Sequence, residues 1–218
     1  MVISDRVRLL FVHVQKTGGS TIQNRLTEVL PDTRQVQGVD RHGTLGQILR
    51  KEPELSAYWT FGMVRNPWAR MLSWYNMVDR FRESKAGGEA RIERKNQFMQ
   101  SVAETCPDFE TFVMKGLDEF NRLQVPQFRY LNTKTRRADF VGRQESLEAD
   151  LRAVHARLDI PWTPLQSVNV DRSRPDYKSD DLELSREDRR YREVYTDAMR
   201  RRVEAVFARD VQAFGYEF

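Results

Sequence analysis

The apolar residues of this 218-residue chain fall into short runs separated by long polar stretches, and the period within each run predicts an element. VRLLFVHV, residues 7–14, is apolar on both faces, as in a central strand covered by helices. After KTGGST, Ile22, Leu26, Val29 and Leu30 recur at helical spacing, and the helix stops at Pro31. The pattern then repeats. YWTFGMV predicts a second strand, Asn66 an N-cap and Pro67 a first helical position, and WARMLSWYNMVDRF a helix that turns Leu72, Tyr75 and Val78 to one side. Residues 82–97 read as an exposed loop passing into a polar helix.

NQFMQSVAET and DFETFVMKGLDEF predict two short helices that break at Cys106 and Pro107. ADFVGR, residues 138–143, predicts a third strand, and SLEADLRAVHARLDI a helix with Ser146 as N-cap and acids in its first turn. Residues 167–181 are polar and proline-containing, hence loop, before a long helix from about Ser185 to Ala213 and an FGYEF tail. Strand and helix alternate. The expectation is an α/β fold, a parallel sheet core flanked by helices with a helical insertion and a C-terminal helix, in one domain over residues 1–218.

Composition narrows the class. Hydrophobic residues make up 39% and charged residues 31%, and no stretch approaches the roughly 18 apolar residues of a membrane-spanning helix. Asp5, Arg6 and Arg8 interrupt the first apolar run before it could serve as a secretory signal, so a cytoplasmic protein is expected. Cys106 is the single cysteine and cannot form an internal disulfide; with three histidines it gives no zinc-ligand spacing, and no metal is expected.

The net charge is +4, and the 36 basic residues divide into 29 arginines and 7 lysines. Arginine forks match carboxylate, phosphate and sulfate oxygens, which makes each of the few lysines more informative. An Arg-rich surface also follows from solubility alone. The basic residues alternate with acids, above all in SREDRRYREVYTDAMRRRVEAVFARD, which reads as a solvated, ion-paired helix face and argues against a nucleic-acid partner.

The first motif is KTGGST, placed between a strand and a helix. Gly18 and Gly19 permit a tight turn, the amides of residues 18–21 can point inward, Ser20 and Thr21 add hydroxyls, and Lys16 adds a positive charge. That combination suits a bound phosphate at a helix N-terminus. A bare Gly-Gly pair also suits an ordinary strand-to-helix turn; the lysine at the end of a buried strand tips the reading towards an anion. In the nucleotide-triphosphate loop the lysine follows the last glycine, whereas Lys16 precedes both. The second strand moreover ends in Arg65 where an aspartate would hold magnesium, which disfavours ATP or GTP.

The second motif is VRNPWARMLSWY, with Arg65 at the mouth of the second strand and Ser73 two turns into the next helix. Taken singly, Arg65 reads as a salt-bridge partner and Ser73 as a helix filler. Together, HVQKTGGST and VRNPWARMLSWY resemble the paired motifs of sulfotransferases that use 3′-phosphoadenosine 5′-phosphosulfate, most closely the carbohydrate (family 2) branch. FVGRQESLEADL and ARDVQAFGYEF extend the resemblance over most of the chain. Gln15 stands where proline is usual, and Gln144 where an aromatic is common.

The resemblance implies a sheet related to that of nucleotide kinases, and a 5′-phosphosulfate held by Lys16, Thr17, Gly18, Gly19, Ser20 and Thr21. It implies a 3′-phosphate held by Arg65 and Ser73, release of 3′,5′-adenosine bisphosphate, and no metal requirement. The implied acceptor is a hydroxyl on a carbohydrate or small metabolite. Sulfuryl transfer needs a group to take the hydroxyl proton, and histidine suits that role near neutral pH. His13 lies within the first strand and reads as packing below the loop, and His155, within a helix, reads as structural. His42, in the polar loop of VDRHGTLGQI between the two motifs, is the candidate base; an exposed loop histidine is the plain alternative, and Asp40 and Glu145 are the fallbacks. Arg172, Arg174 and Lys178 are weaker phosphate-contact candidates. Two other functional classes stay open, a nucleotide-triphosphate-dependent small-molecule kinase and a non-catalytic polyanion-binding module.

Overall fold

The computed structural model describes residues 1–86, 97–164 and 191–218. The chain begins with β1 (Val2–Ser4) and β2 (Leu9–Val12), followed by α1 (Gly19–Val29), β3 (Thr33–Arg34), α2 (Leu45–Lys51), a 3-10 turn (Pro53–Ala57) and β4 (Trp59–Val64). Then come α3 (Pro67–Ala86), α4 (Gln97–Thr105), α5 (Phe109–Thr111), a π-helical turn (Phe112–Gly116), α6 (Leu117–Glu119) and α7 (Gln127–Leu131). The chain closes with β5 (Phe140–Arg143), α8 (Leu147–Arg157), a 3-10 turn (Tyr191–Val194), α9 (Asp197–Val206) and α10 (Ala208–Phe214).

These elements form two compact units, one of residues 1–65 and 127–186, the other of residues 66–126 and 187–218. The first holds the sheet, in the order β3-β1-β2-β4-β5. Its core is parallel: β2 runs beside β4 with Leu9 opposite Trp59, and β4 beside β5 with Val64 opposite Arg143. The β1–β2 and β1–β3 pairs run antiparallel. The two strands that the pattern does not predict, β1 and β3, are three and two residues long, too short to show a period.

Alternation along the strands sorts the sheet's faces. Leu9, Phe11, Phe61 and Met63 pack with Ile22 and Leu26 of α1 and with Leu147, Leu151 and Val154 of α8. Gly62, on the opposite face, lies so close to α7 that a Cβ there would stand 2.3 Å from the Leu131 side chain. β2 and β4 are thus buried on both sides, which is why VRLLFVHV and YWTFGMV read as unbroken apolar runs.

The second unit is helical. Asn66 caps α3 as expected, its Oδ1 accepting from the amides of Trp68 at 3.1 Å and Ala69 at 3.4 Å. Trp68 donates its indole N–H to Arg200 O at 3.0 Å, and Tyr195 donates its hydroxyl to Trp68 O at 2.9 Å. Of the predicted Leu72, Tyr75 and Val78, Val78 is buried and the other two are half-buried; the buried stripe of α3 runs through Trp68, Met71, Trp74 and Val78, because the two tryptophans carry the larger apolar area inward.

Two boundaries also move. The helix α3 continues to Ala86, through the first residues of the predicted 82–97 loop, of which 87–96 lie outside the described residues. The long C-terminal helix is broken over its described part: Thr196 caps α9, accepting from the Met199 amide at 3.3 Å, and Phe207, fully buried with φ −107 and ψ 25, separates α9 from α10. The start of that helix, the 167–181 loop, Arg172, Arg174 and Lys178 lie outside the described residues. Among the described residues no helix is long and apolar enough to cross a membrane.

Candidate active site

Strand β2 delivers a buried run, His13, Val14 and Gln15, to the turn that opens α1. Thr17, fully buried, donates its hydroxyl to Val14 O at 2.9 Å and ties the two limbs of the turn together. Lys16 and Gly18 on either side are left-handed, with φ of 68 and 78. For a lysine that conformation costs about 1 kcal/mol, the kind of local strain that concentrates at functional sites.

Gly18 precedes α1 and brings no side chain to its N-terminus, so no side-chain cap hydrogen bond is made there. First-turn N–H groups without such a cap are suited to an oxyanion, in the field of the helix dipole. At Gly19 a Cβ would fall 2.1 Å from two atoms of the His13 imidazole, so only glycine lets that ring lie against the loop backbone. A Cβ on Gly18 would meet Leu147 at 3.1 Å and Gln144 at 3.8 Å, which gives Gln144, itself buried, a packing role beneath the loop. The cradle fits a group with phosphate-like oxygens.

His42 is brought to this loop by a local structure that its own sequence dictates. Thr44 and Gln47 form a reciprocal capping box at the start of α2, the Gly43 amide bonds Asp40 O at 2.7 Å, and the Asp40 carboxylate accepts from the His42 amide at 2.8 Å. The imidazole Nδ1 lies 3.1 Å from His13 O, and the two histidine rings meet at 4.3 Å. A carbonyl only accepts, so Nδ1 carries the proton and donates it there. Nε2 is then the basic nitrogen, and it accepts from Arg41 Nε at 3.1 Å. The same guanidinium reaches Ser20 Oγ at 3.4 Å.

Burial is the largest influence on His42 and holds its pKa down at about 4. The His13 carbonyl opposes that shift, Arg41 adds to it, Asp40 opposes it, and the Met1 amine adds to it. His13, still more buried, is driven well below the usual histidine range by desolvation first and by the neighbouring His42 next. It is a neutral packing element, as expected. His155 is fully buried, with Nδ1 3.0 Å from Pro161 O and its ring against Trp162, a structural placement as expected.

Arg65 leaves β4 at the same sheet edge from which Lys16 leaves β2, since Val12 pairs with Gly62 in parallel register. Its backbone is clamped: Gln127, fully buried on α7, accepts from the Arg65 amide at 2.8 Å and donates to the Arg65 carbonyl at 2.8 Å. Ser73 lies part-exposed on α3, in the second unit. Of the fallback bases, Asp40 is turned back onto the His42 amide, and Glu145 is exposed after β5.

The family model described as "Sulfotransferase family" (Sulfotransfer_2) matches residues 1–217. The chain belongs to the sulfotransferase family. No curated protein matches it. As a sulfotransferase it is an enzyme that passes a sulfuryl group from a donor of the phosphoadenosine-phosphosulfate type to an acceptor.

Two residues of this sulfotransferase's candidate site escaped the sequence reading. Arg41 stands beside His42 and ahead of a Thr-x-x-Gln capping signal, which was enough to fix the turn that brings both side chains to the loop. Gln127, in VPQFRYL, carried no such signal, because a buried glutamine and a surface one look alike in a mixed run.

Proposed function

We propose that this sulfotransferase moves the sulfuryl group of 3′-phosphoadenosine 5′-phosphosulfate to a hydroxyl of a carbohydrate or other small metabolite, and that residues 1–218 act as one catalytic domain. The observation that carries the proposal is the uncapped, left-handed Lys16–Gly18 turn at the head of α1, with the His42 imidazole beside it. Lys16 and the amides and hydroxyls of Thr17, Gly18, Gly19, Ser20 and Thr21 would hold the 5′-phosphosulfate, and Arg65 and Ser73, carried over from the second motif, the 3′-phosphate.

The bound donor supplies a sulfur activated by a phosphate leaving group. His42 Nε2 takes the proton of the attacking hydroxyl as the new oxygen–sulfur bond forms and the sulfur–phosphate-oxygen bond breaks. The Lys16 ammonium and the loop amides stabilise the negative charge left on the phosphate side, and the rigid turn keeps those donors in place before the charge develops. The test is transfer of labelled sulfate from the donor to a panel of sugars and hydroxylated metabolites, with Lys16→Ala and His42→Gln alongside. Loss of one charge-stabilising donor lowers kcat by about a hundredfold or more, so Lys16→Ala retaining wild-type turnover contradicts the assignment.

A further inference from the structure

Arg41 occupies the one nitrogen of His42 that could accept a proton. A guanidinium has no lone pair and stays protonated, so its contact with Nε2 exists only while His42 is neutral with its proton on Nδ1. The pair therefore selects the tautomer that a base needs and at the same time covers the basic atom. The other end of Arg41 already touches Ser20 Oγ, on the first turn of α1. Resting on the reading of residues 16–21 as the donor's phosphate site, we propose that Arg41 is a positioning residue. It holds His42 in the Nδ1–H form and releases Nε2 when an anion occupies that loop.

Phosphate and imidazole compete for the same donors. A guanidinium–phosphate contact joins two ions and can be bidentate, whereas the guanidinium–imidazole contact has one ionised partner and a single bond. An anion at the loop lies next to Ser20, within the present reach of Arg41, and takes over its N–H groups. His42 then loses a neighbouring cation and gains a neighbouring anion. The groups that face its ring are His13 from the end of β2, Arg41 and Asp40 from its own loop, and the Met1 amine. Of these the His13 ring also lies against Gly19, and Arg41 brings a side-chain cation to the loop at Ser20 Oγ. Both changes favour the protonated imidazolium and raise His42 from about 4 towards neutrality, where a general base is most effective. Base strength is thereby coupled to occupancy of the donor site.

The experiment follows the His42 imidazole nitrogens by NMR titration, assigned by their loss in His42→Gln. Wild type, Arg41→Ala and Arg41→Lys are compared, each free and saturated with 3′,5′-adenosine bisphosphate, whose binding is measured separately by calorimetry. The wild-type midpoint is expected to rise by about one pH unit or more on saturation. Arg41→Ala starts about one unit higher without ligand and shifts less on binding, and Arg41→Lys, which keeps the charge but not the two-ended fork, falls between them. Coincident midpoints in free wild type and Arg41→Ala overturn the inference, as does an unmoved wild-type midpoint when calorimetry shows the bisphosphate bound. Absence of bisphosphate binding, with the Arg41→Ala shift intact, overturns the donor reading and the release step with it.

Discussion

At the scale of single residues, Lys16 joins a local cost to a functional gain. A left-handed lysine is strained where glycine is not, yet glycine carries no ammonium. Lys16→Gly is accordingly expected to leave unfolding free energy within about 1 kcal/mol of wild type while sulfate transfer falls by about a hundredfold or more. Chemical denaturation beside the transfer assay separates the two, and a large loss of stability with activity retained would make Lys16 structural. The histidines give a second expectation. Folding lowers the pKa of His13, His42 and His155 from their usual 6.5, chiefly by burial, so between about 4 and 6.5 the unfolded chain binds more protons than the folded one. Stability is full above that window and falls as pH drops through it. Urea midpoints measured across the window should show this slope, reduced in His42→Gln, and a flat profile would contradict the buried, neutral histidines.

At the scale of elements, the clamp between Gln127 of α7 and the backbone of Arg65 connects the covering layer of the sheet to the second motif. Gln127→Ala removes the two hydrogen bonds to the Arg65 amide and carbonyl, each contributing about 0.5–1.5 kcal/mol. Thermal and urea unfolding measure that loss, and bisphosphate affinity should fall with it, because Arg65 is no longer held in one place. An unchanged affinity would show that the clamp serves the fold alone.

The elements also show where sequence reasoning succeeds. The parallel strands, Asn66 as a cap and the KTGGST turn were readable because burial on both faces, an N-cap before proline and paired glycines each leave a local mark. Differences came where packing or a competing side-chain contact, and not the local pattern, decided the outcome. Ser146 stands at the N-cap of α8 as expected, but its side chain makes no cap hydrogen bond; its hydroxyl donates to Asp150 at 2.7 Å, and the Asp150 carboxylate also accepts from the Arg143 amide. The α3 stripe followed its tryptophans, and Phe207, buried in the helical unit, ended a helix that ion-pair patterning alone would continue. Arg41 shows its role only when the fold sets it between His42 and Ser20.

At the scale of the whole molecule, the family match runs through both compact units, over residues 1–217, while the phosphate loop, His42 and Arg65 all belong to the first. On the proposed function, the protein reads an adenosine carrying phosphates at both the 3′ and 5′ positions. The most direct test is calorimetry of 3′,5′-adenosine bisphosphate against ADP, without magnesium, on wild type and Arg65→Ala. The bisphosphate is expected to bind at least about tenfold more tightly, a difference of about 1.4 kcal/mol, with collapse of that preference in Arg65→Ala. Equal affinity for ADP, or a preference that survives loss of Arg65, would contradict the proposed function.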